Sequence, residues 1–383
     1  MRRLIIIERN KNKLQVDTLA KDKKTVVVAM SGGVDSSVTA ALLIEQGYDV
    51  IGITMQVWDP KITEVDGDFV GCCSLAAVED ARSVANKLGI PYYVLNFYDL
   101  FRQSVVDNFC REYLNGRTPN PCVVCNRKIK FGALLSKALT LGAKFMATGH
   151  YARISYEESA GRYTLRKARD YHKDQTYFLY NLTQPQLAHT LMPLGEYTKD
   201  EVRFMAAERG LRVADKPESQ EICFVPDNNY RNFLRENADN SVIKPGPFLD
   251  LDGREIGRHQ GIPFYTIGQR RGLGLAMGER VYVVDIDPAH NAVVVGPEEA
   301  LDRTTLVAED LNFISIAGLT GSEQVQAKIR YNSPPAPATI TPLTGNRVQV
   351  KFAAPQRAIA PGQAVVFYRD DYLLGGGTIT GSG

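Results

Sequence analysis

The sequence predicts an α/β protein in which a doubly wound parallel sheet is followed by a small β-rich central domain and a C-terminal β-barrel. Over the first half of the chain, apolar β-branched runs alternate with helical segments, a pattern typical of parallel sheets. A Gly/Ser turn joins the first of these runs directly to a helix. After about residue 301, short stretches alternate apolar and polar residues without helices between them, as in a sandwich or barrel.

The domain boundaries are expected where this pattern changes. The chain has 383 residues, which is enough for two or three domains. We expect a short N-terminal extension at 1–24, the sheet domain at 25–228, the central domain at 229–300 and the barrel at 301–383. Within the central domain, the Pro/Gly-rich junction Lys244-Pro-Gly-Pro247 leads from a helical segment into short strands.

The composition is that of an ordinary globular protein. Hydrophobic residues make up 44% of the chain and the net charge is +2, so a nucleic-acid site must arise from local clustering of basic residues. No apolar run reaches the roughly 18 residues of a membrane span, and the opening segment lacks the apolar core of a signal peptide. We therefore expect a cytoplasmic protein. Six cysteines in a chain of this length do not indicate a disulfide scaffold.

The elements of the predicted sheet domain follow one another in order. Thr25–Ala29 is a buried strand, and the helical run from Val38 to Gln46 is closed by Gly47. Further strands are expected at 49–55, 92–97 and 144–148, and further helices at 74–88, at 99–114 and from Lys128 onward. The adjacent Cys72 and Cys73 are interpreted as packing residues at a helix start.

The turn Ser31-Gly32-Gly33 between the first strand and helix has the features of an anion site. Glycines allow backbone N–H groups to approach an oxyanion, hydroxyls add donors, and the helix dipole favours negative charge. The G-x-x-x-x-G-K-[ST] and G-x-G-x-x-G phosphate motifs are both absent from this turn. The next residues, Val34-Asp35-Ser36, complete a motif that resembles the pyrophosphate loop of enzymes that split ATP between its α and β phosphates.

A second informative loop runs from Gly116 to Arg127 and contains the C-x-x-C pair Cys122 and Cys125. Two prolines restrict the loop, and a thiol at a helix N-terminus beside basic residues should have a lowered pKa. A second C-x-x-C is missing from the sequence, which argues against a structural zinc site. Redox dithiols and iron–sulfur ligands share the motif, so both remain open.

Other polar residues are less specific when they are considered one at a time. His150, at the end of an expected strand, is interpreted as structural, and Cys223 as a buried core cysteine. The basic stretch from Arg162 to Lys173 and the turn Gln269–Gly272 are consistent with either a solvated face or an RNA-binding surface. Thr198-Lys-Asp-Glu201 is a helix capping box.

Considered together, the motifs resemble those of the tRNA-specific 2-thiouridylases from Thr25 to the C-terminus. The motifs that carry the resemblance are Ser31–Ser36, Thr118-Pro-Asn-Pro with Cys125-Asn, Thr148–Arg153, Lys173–Leu179, Cys223-Phe, Gly257–Gly261, Thr266–Gly274 and Lys328–Tyr331. The resemblance implies adenylylation of the 2-carbonyl oxygen of the wobble uridine by ATP, followed by replacement of that oxygen with sulfur. It implies a Mg²⁺ ion near Asp35. It also implies tRNA and a sulfur donor protein as partners.

The resemblance also assigns residues to ATP and sulfur chemistry. The positions that match ATP-binding positions of the family are Ala29, Met30, Ser31, Gly32, Gly33, Val34, Asp35, Ser36, Met55 and Gly149. Cys223 matches the cysteine that carries the sulfur as a persulfide, and Cys125 matches the attacking nucleophile. A transient disulfide between Cys125 and Cys223 is implied, which needs Cα atoms roughly 4.4–6.8 Å apart.

The resemblance further assigns contacts with tRNA. The matching positions are Asn120, Pro121, Cys122, Lys173, Asp174, Gln175, Arg330 and Tyr331. Many family members have aspartate where Cys122 stands, so this sequence departs from the family's form at the position assigned as a contact to the target base. With Cys122, Cys125 and Cys223, the chain instead resembles the thiolases that use three cysteines to bind a [4Fe-4S] cluster, which is the alternative route to the same product.

Two other classes of function compete with tRNA thiolation. An amidating ligase that uses ammonia would explain the ATP loop but would give Cys125, Cys223 and the basic motifs no role. A non-catalytic RNA-binding protein would explain the basic turns and the barrel but not the ATP loop. Pyrophosphate exchange that depends on tRNA distinguishes the three.

Overall fold

A computed structural model describes residues 24–58, 75–216, 222–225, 228–276 and 278–382. The chain divides into two compact units. The first unit comprises described residues in the ranges 24–102, 125–176 and 182–225, and the second comprises those in the ranges 103–124, 177–181 and 228–382. Expectations for residues 1–23 and for the pair Cys72 and Cys73 lie outside the described residues.

The strands of the first unit include a parallel sheet and the β5–β6 hairpin. They are β1 Thr25–Ala29, β2 Asp49–Gln56, β3 Tyr92–Asn96, β4 Phe145–Ala147, β5 Ala152–Glu157, β6 Arg162–Lys167 and β7 Thr190–Leu191. The sheet has the order β3-β2-β1-β4-β7, and every pairing in it is parallel. Since the order reverses between β1 and β4, the crevice for a ligand is expected beyond the carboxyl ends of these two strands.

Helical segments connect the strands. They are α1 Val34–Glu45, α2 Leu75–Leu88, α3 Tyr98–Phe101, α4 Asp107–Leu114, α5 Pro121–Cys125, α6 Leu135–Thr140, α7 Gln184–Ala188, α8 Lys199–Glu208 and α9 Tyr230–Asn237. Wider π-helical turns at Arg102–Val106 and Asn126–Leu134 continue α3 and α5. Short 3₁₀ turns lie at Thr176–Phe178, Pro193–Glu196, Asn240–Val242, Ile262–Phe264 and Glu298–Leu301. Among the described residues, no helix is long and apolar enough to cross a bilayer.

The core of the first unit follows from its apolar runs. Val26, Val27 and Val28 of β1 are buried because the central strand is covered on both faces, which is why its sequence is continuously apolar rather than alternating. Two helix starts differ from the expectation: α1 begins at Val34 rather than at Val38, and the helix expected from Lys128 onward begins seven residues earlier, at Pro121. Proline is favoured in the first helical turn because its missing N–H would have no intrahelical partner there.

The second unit contains two β structures. Its strands are β8 Gly246–Leu249, β9 Glu255–His259, β10 Tyr282–Asp287, β11 Ala292–Gly296, β12 Asp302–Phe313, β13 Glu323–Lys328, β14 Ala336–Leu343, β15 Arg347–Arg357, β16 Ala364–Arg369 and β17 Tyr372–Ser382. The first four form a sheet in the order β10-β11-β8-β9. The last six pair in the order β12-β15-β14-β13-β16-β17, and β12 also pairs with β17, which closes a barrel.

This architecture confirms the expected fold class. The barrel strands alternate as the sequence indicates; in β15, for example, Val348, Val350 and Phe352 are buried and the residues between them are exposed. Closure of the barrel pairs both edges of the sheet, so the unpaired backbone groups of an edge strand are avoided.

Candidate active site

The anion loop lies at the carboxyl end of β1, at the point where the strand order reverses. The Met30 N–H donates to the Ile53 carbonyl at 2.8 Å, and the Thr54 hydroxyl donates to the Met30 carbonyl at 2.6 Å, so β2 fixes the start of the loop. Gly32 has φ +69°, and an added Cβ there would lie 2.1 Å from the Ala77 carbonyl oxygen. Glycine is therefore required both by conformation and by space.

The N-terminus of α1 is available to an anion. Gly33 is the N-cap, and no side chain in the described part of the chain caps this helix end. Helices leave their first N–H groups without intrahelical partners, and with the positive end of the helix dipole these groups form an anion site. The Ser36 hydroxyl accepts from the Ser31 N–H at 3.2 Å, so the loop hydroxyls are held at the same end of the helix.

Gly149 packs against this end of α1. It follows β4, and an added Cβ would lie 2.8 Å from the Ser36 nitrogen and 2.9 Å from the Asp35 carbonyl carbon. Only a residue without a side chain allows the backbone after β4 to approach the loop so closely. Met55, the other expected nucleoside contact, lies partly buried near the end of β2.

Asp35 carries the main charged interaction of the loop. The Lys199 Nζ donates to both of its carboxylate oxygens, at 2.7 and 2.8 Å, and the Tyr151 hydroxyl donates to one of them at 2.8 Å. The Lys199 side chain is 9% exposed and the Asp35 side chain 32% exposed. Lys199 is the first residue of α8, and the expected capping box of Thr198 and Glu201 is present there.

Tyr151 is in turn fixed by the segment that resembles a tRNA-binding motif. Its backbone N–H donates to the Gln175 side chain, and its carbonyl accepts from the Gln175 N–H, both at 3.0 Å. Asp174 is buried, and its carboxylate accepts from the Ala168 N–H at 3.0 Å and from the Thr176 hydroxyl at 2.7 Å. These two side chains therefore shape the segment around Lys173.

A second lysine contacts the loop. The Lys216 Nζ donates to the Gly32 carbonyl at 3.1 Å and to the Asp80 carboxylate of α2 at 2.5 Å. Lys216 therefore connects the anion loop to α2, and it lies seven residues before Cys223 in the chain.

His150 is buried beside the loop, as expected for a structural histidine. Its Nδ1 lies 2.8 Å from the Thr148 hydroxyl, and its ring lies 5.7 Å from that of Phe131. Burial, with the nearby charge of Lys130, holds the pKa of His150 well below its usual value. The imidazole is therefore neutral at pH 7.

The C-x-x-C cysteines lie in the short helix α5. Cys122 is exposed and Cys125 is partly buried, and neither is in a disulfide. Asn120 is the residue before the helix, and its side-chain oxygen accepts from the Val123 N–H at 3.3 Å in the manner of an N-cap. Cys122 therefore sits in the first helical turn, one turn ahead of Cys125, with Arg127 and Lys128 exposed beyond them.

Cys223 lies in a turn in which the Val225 N–H donates to the Ile222 carbonyl at 2.9 Å. It is a partly buried thiol rather than a fully buried core residue. The next residue, Phe224, packs edge to face on the buried Phe101, with ring centroids 5.7 Å apart. Phe224 and Val225 therefore hold the turn, while Cys223 retains some access to solvent.

The described residues do not gather a metal centre. No group of three or more His, Cys, Asp or Glu side chains among them is arranged to hold a metal ion, and Cys122, Cys125 and Cys223 all belong to the described residues. The ligand set expected for an iron–sulfur cluster is thus not assembled. Asp35 offers a single carboxylate, which suits Mg²⁺ that arrives with phosphate oxygens and water as its other ligands.

The remaining residues expected to contact tRNA are partly engaged within the second unit. The Arg330 guanidinium donates to the Ala358 carbonyl, and burial lowers the pKa of Arg330 from its usual value. The Tyr331 ring lies 4.5 Å from that of Phe178 and 5.3 Å from the Lys328 Nζ.

The basic stretch begins in the second strand of the β5–β6 hairpin. Across this hairpin, Arg153 lies opposite Arg166 and Tyr156 lies opposite Tyr163. The ring centroids of the two tyrosines lie 5.0 Å apart.

Three side chains near the loop were missed by the sequence reasoning. Lys199, Tyr151 and Lys216 contact Asp35 or Gly32, although they lie 116 to 184 residues away along the chain. Tyr151 had a signal, since it follows Gly149 and His150 at a strand end. Lys199 lies inside the capping box, but a capping box indicates only where a helix starts.

Comparison with known proteins gives a consistent result along the chain. Three family models match: the tRNA methyl transferase HUP domain at 24–227, the tRNA methyl transferase PRC-barrel domain at 231–297 and the aminomethyltransferase β-barrel domain at 303–379.

Two similar curated proteins are both named tRNA-specific 2-thiouridylase MnmA. The protein of Desulforamulus reducens is 63% identical over 93% of this chain and 97% of its own length. That of Carboxydothermus hydrogenoformans is 60% identical over 93% of this chain and 98% of its own.

Proposed function

This chain belongs to the tRNA-specific 2-thiouridylase family, and from this premise we propose that it thiolates the wobble uridine of tRNA at position 2 in an ATP-dependent reaction. The observation that carries the proposal is the identity of about 60% with such enzymes over nearly their whole length. The enzyme is then a sulfurtransferase, and we propose that it works in the cytoplasm with tRNA and a sulfur donor protein.

The first step is activation of the uridine. The 2-carbonyl oxygen attacks the α phosphorus of ATP, the bond between the α phosphorus and the bridging oxygen breaks, and pyrophosphate leaves. In this proposal the residues from Ala29 to Ser36 bind the phosphates, and Met55 and Gly149 contact the nucleoside through the backbone. The uncapped end of α1 and the short approach of Gly149 support this assignment.

Asp35 has a distinct role in this step. Bound Mg²⁺ supplies charge neutralisation at the leaving phosphates. Asp35 is the loop carboxylate that would hold the ion, and Lys199 and Tyr151 orient that carboxylate with three hydrogen bonds. Because Lys199 is almost completely buried, its charge is directed at the loop and not at solvent.

The second step replaces the activated oxygen. Cys223 carries the sulfane sulfur as a persulfide, and the Cys125 thiolate attacks the sulfur of Cys223 that is bonded to carbon. A Cys125–Cys223 disulfide forms and hydrosulfide departs, which attacks carbon 2 and displaces AMP. An external thiol must then reduce the disulfide. Both cysteines are thiols with partial access to solvent, as this sequence of steps requires.

We propose Asn120, Pro121, Cys122, Lys173, Asp174, Gln175, Arg330 and Tyr331 as the tRNA-binding residues. Since the carboxylate of Asp174 and the amide of Gln175 bind inside the protein, their contribution would be to shape the loop that presents Lys173. Splaying the target base out of its stack requires such preformed contacts.

Cys122 is proposed as a contact to the target base and not as a cluster ligand. It stands where many relatives carry an aspartate, and the [4Fe-4S] route would need it together with Cys125 and Cys223. The arrangement of the described residues gives that route no support.

The decisive experiment combines two assays on protein purified without oxygen. ATP–pyrophosphate exchange should require tRNA, and 2-thiouridine should form from a persulfide donor in protein free of iron and acid-labile sulfide. Exchange without tRNA would favour an amidating ligase, and exchange absent under all conditions would favour a binding protein. Thiolation that tracks about 4 iron atoms per chain would replace the persulfide route with the cluster route.

A further inference from the structure

The turn formed by residues 170–173, here called the Lys173 turn, presents an aromatic ring and basic groups at the surface of the first unit. The turn follows β6, and Tyr171 is 64% exposed. His172 is exposed and Lys173 is partly exposed. Basic side chains attract phosphates, and unstacked RNA bases stack on aromatic rings, so the exposed groups of this turn suit RNA.

Asp170 holds this turn against the start of α8. Its carbonyl accepts from the Lys173 N–H at 3.1 Å, which closes the turn. One carboxylate oxygen accepts from the His172 N–H at 3.1 Å, and the other accepts from the Lys199 N–H at 3.0 Å. Lys199 is the first residue of α8, where helix N–H groups lack intrahelical partners. A single carboxylate thus fixes the turn and attaches it to the helix.

Lys199 extends this connection to the anion loop. Its backbone N–H is bound by Asp170, and its Nζ donates to both carboxylate oxygens of Asp35, at 2.7 and 2.8 Å. The residue is buried, and its Nζ lies 5.7 Å from the centre of the Tyr151 ring. A long side chain that is buried and bound at both ends has few rotamers available. The position of the Lys173 turn is therefore transmitted to the ammonium group at Asp35.

A second connection runs through Tyr151. Its hydroxyl donates to Asp35 at 2.8 Å, and its backbone N–H and carbonyl are both bound by Gln175 at 3.0 Å. Between the turn and Gln175 lies Asp174, which is buried and accepts a hydrogen bond on each carboxylate oxygen. The three hydrogen bonds to Asp35 thus come from two residues, and each of these residues is bound to the segment 170–175.

We propose that Asp170 is a positioning residue that couples the Lys173 turn to Asp35, so that RNA bound at the turn strengthens the binding of Mg²⁺ and ATP at the anion loop. The inference rests on the proposed function for the roles of Asp35 and Lys173. RNA that orders the turn also orders Lys199 and Tyr151, so less entropy is lost when the carboxylate binds its ion. The coupling is reciprocal, and ATP strengthens RNA binding by the same factor.

The test measures the dissociation constant of an ATP analogue with a methylene group between its α and β phosphates, in the presence of Mg²⁺. Isothermal titration is performed without tRNA and with saturating tRNA transcript. In the parent protein, tRNA should lower this constant about tenfold, and in Asp170→Ala the ratio should fall to about twofold. Tyr151→Phe should reduce the ratio less than Asp170→Ala does, because the connection through Lys199 remains.

The matched control is Asp250→Ala in the turn between β8 and β9. The Asp250 carboxylate also accepts from two backbone N–H groups, those of Asp252 and Arg254, both at 2.9 Å. Its ratio should equal that of the parent protein. A purely structural role of Asp170 would weaken ATP binding equally with and without tRNA, and the ratio would not change.

Two results would overturn the coupling: equal ratios for Asp170→Ala and Asp250→Ala, or a parent protein whose affinity for the analogue does not depend on tRNA. Thiolation of tRNA by the same parent preparation is measured separately. If the parent protein forms 2-thiouridine but shows no coupling, this inference is wrong and the proposed function remains. If it shows coupling but forms no 2-thiouridine with a persulfide donor, the proposed reaction is wrong and the connection through Asp170 remains.

Discussion

The N-termini of α1 and α5 differ in the way in which their first N–H groups are satisfied. At α1 no side chain in the described part of the chain caps the helix, and the nearby carboxylate is held by the buried charge of Lys199. At α5 the helix is capped by the Asn120 side chain, whose oxygen accepts from the Val123 N–H at 3.3 Å. An uncapped end has N–H groups available for an oxyanion, whereas a capped end keeps its geometry for a side chain of the helix itself.

In the proposed function, the first of these helix ends binds ATP, and the helix that begins at the second carries the nucleophile Cys125. At the first end, the Asp35 carboxylate is held by the charge of Lys199, and a bound ligand can interact with the same two charged groups. The second end is capped by the amide of Asn120, a group that does not titrate. Variants at the two ends should therefore fail in different assays.

The largest expected effect separates the two ends by activity. Cys125→Ser and Cys223→Ser should each lower tRNA thiolation by roughly 10³-fold or more, because a hydroxyl cannot replace the sulfur nucleophile or carrier. Both should keep ATP–pyrophosphate exchange in the presence of tRNA, whereas Asp35→Asn should lose both activities. If either cysteine variant lost exchange as well, the proposed separation of uridine activation from sulfur transfer would be wrong.

The next prediction concerns the N-terminus of α1 and the ion pair of Asp35 with Lys199. Lys199→Met removes the two Lys199 hydrogen bonds to the Asp35 carboxylate and keeps that of the Tyr151 hydroxyl, so the free energy of unfolding should fall by about 2 kcal/mol. This is below the cost of breaking a fully buried pair, because a third of the Asp35 side chain reaches solvent. Urea unfolding measures it. The control is Arg209→Met, which removes the more exposed ion pair with Glu45 and should cost about 0.5 kcal/mol.

Gly149→Ala tests whether the close approach to α1 is required for the ATP site. The new Cβ would lie 2.8 Å from the Ser36 nitrogen, so the loop must shift, and ATP affinity should fall about tenfold. Isothermal titration with a non-hydrolysable ATP analogue measures this change. Gly318→Ala, with no atom within 4 Å of its Cβ, is the matched control. Equal affinities for both variants would show that the approach is incidental.

The smallest effect is a dependence of stability on pH that originates at His150, which is buried beside the anion loop. Because burial depresses the pKa of His150 in the folded protein, the unfolded chain binds a proton first as the pH falls below about 6.5. Stability should therefore be constant above this pH and fall by about 1 kcal/mol between pH 6.5 and 5.5.

His150→Asn, which keeps a polar atom near Thr148, should remove this part of the slope in urea unfolding series. His259, whose pKa is also lowered by burial, should keep its own contribution in that variant. A slope that is identical in the variant and the parent would contradict the assignment to His150.

The sequence by itself determined the parallel sheet, the barrel and the anion loop. Val26–Val28 are apolar on both faces, and β15 alternates from Arg347 to Phe352, so local periodicity was enough to distinguish a covered parallel strand from a barrel strand. The loop was predictable because its conformation depends on neighbouring glycines and on the helix that follows. The start of α5 was misplaced, since prolines indicate a turn and the first turn of a helix equally well.

Only the tertiary structure decided which distant side chains support these elements. Lys199 reaches Asp35 across 164 residues of chain, and Gln363 reaches Thr118 across 245. A single lysine or glutamine in a sequence has no local pattern that specifies its partner, because hydrogen bonds and ion pairs depend on separation in space. The sequence thus determined the position of the anion loop. Packing within the sheet unit and within the barrel unit determined which distant residues contact Asp35 and Thr118.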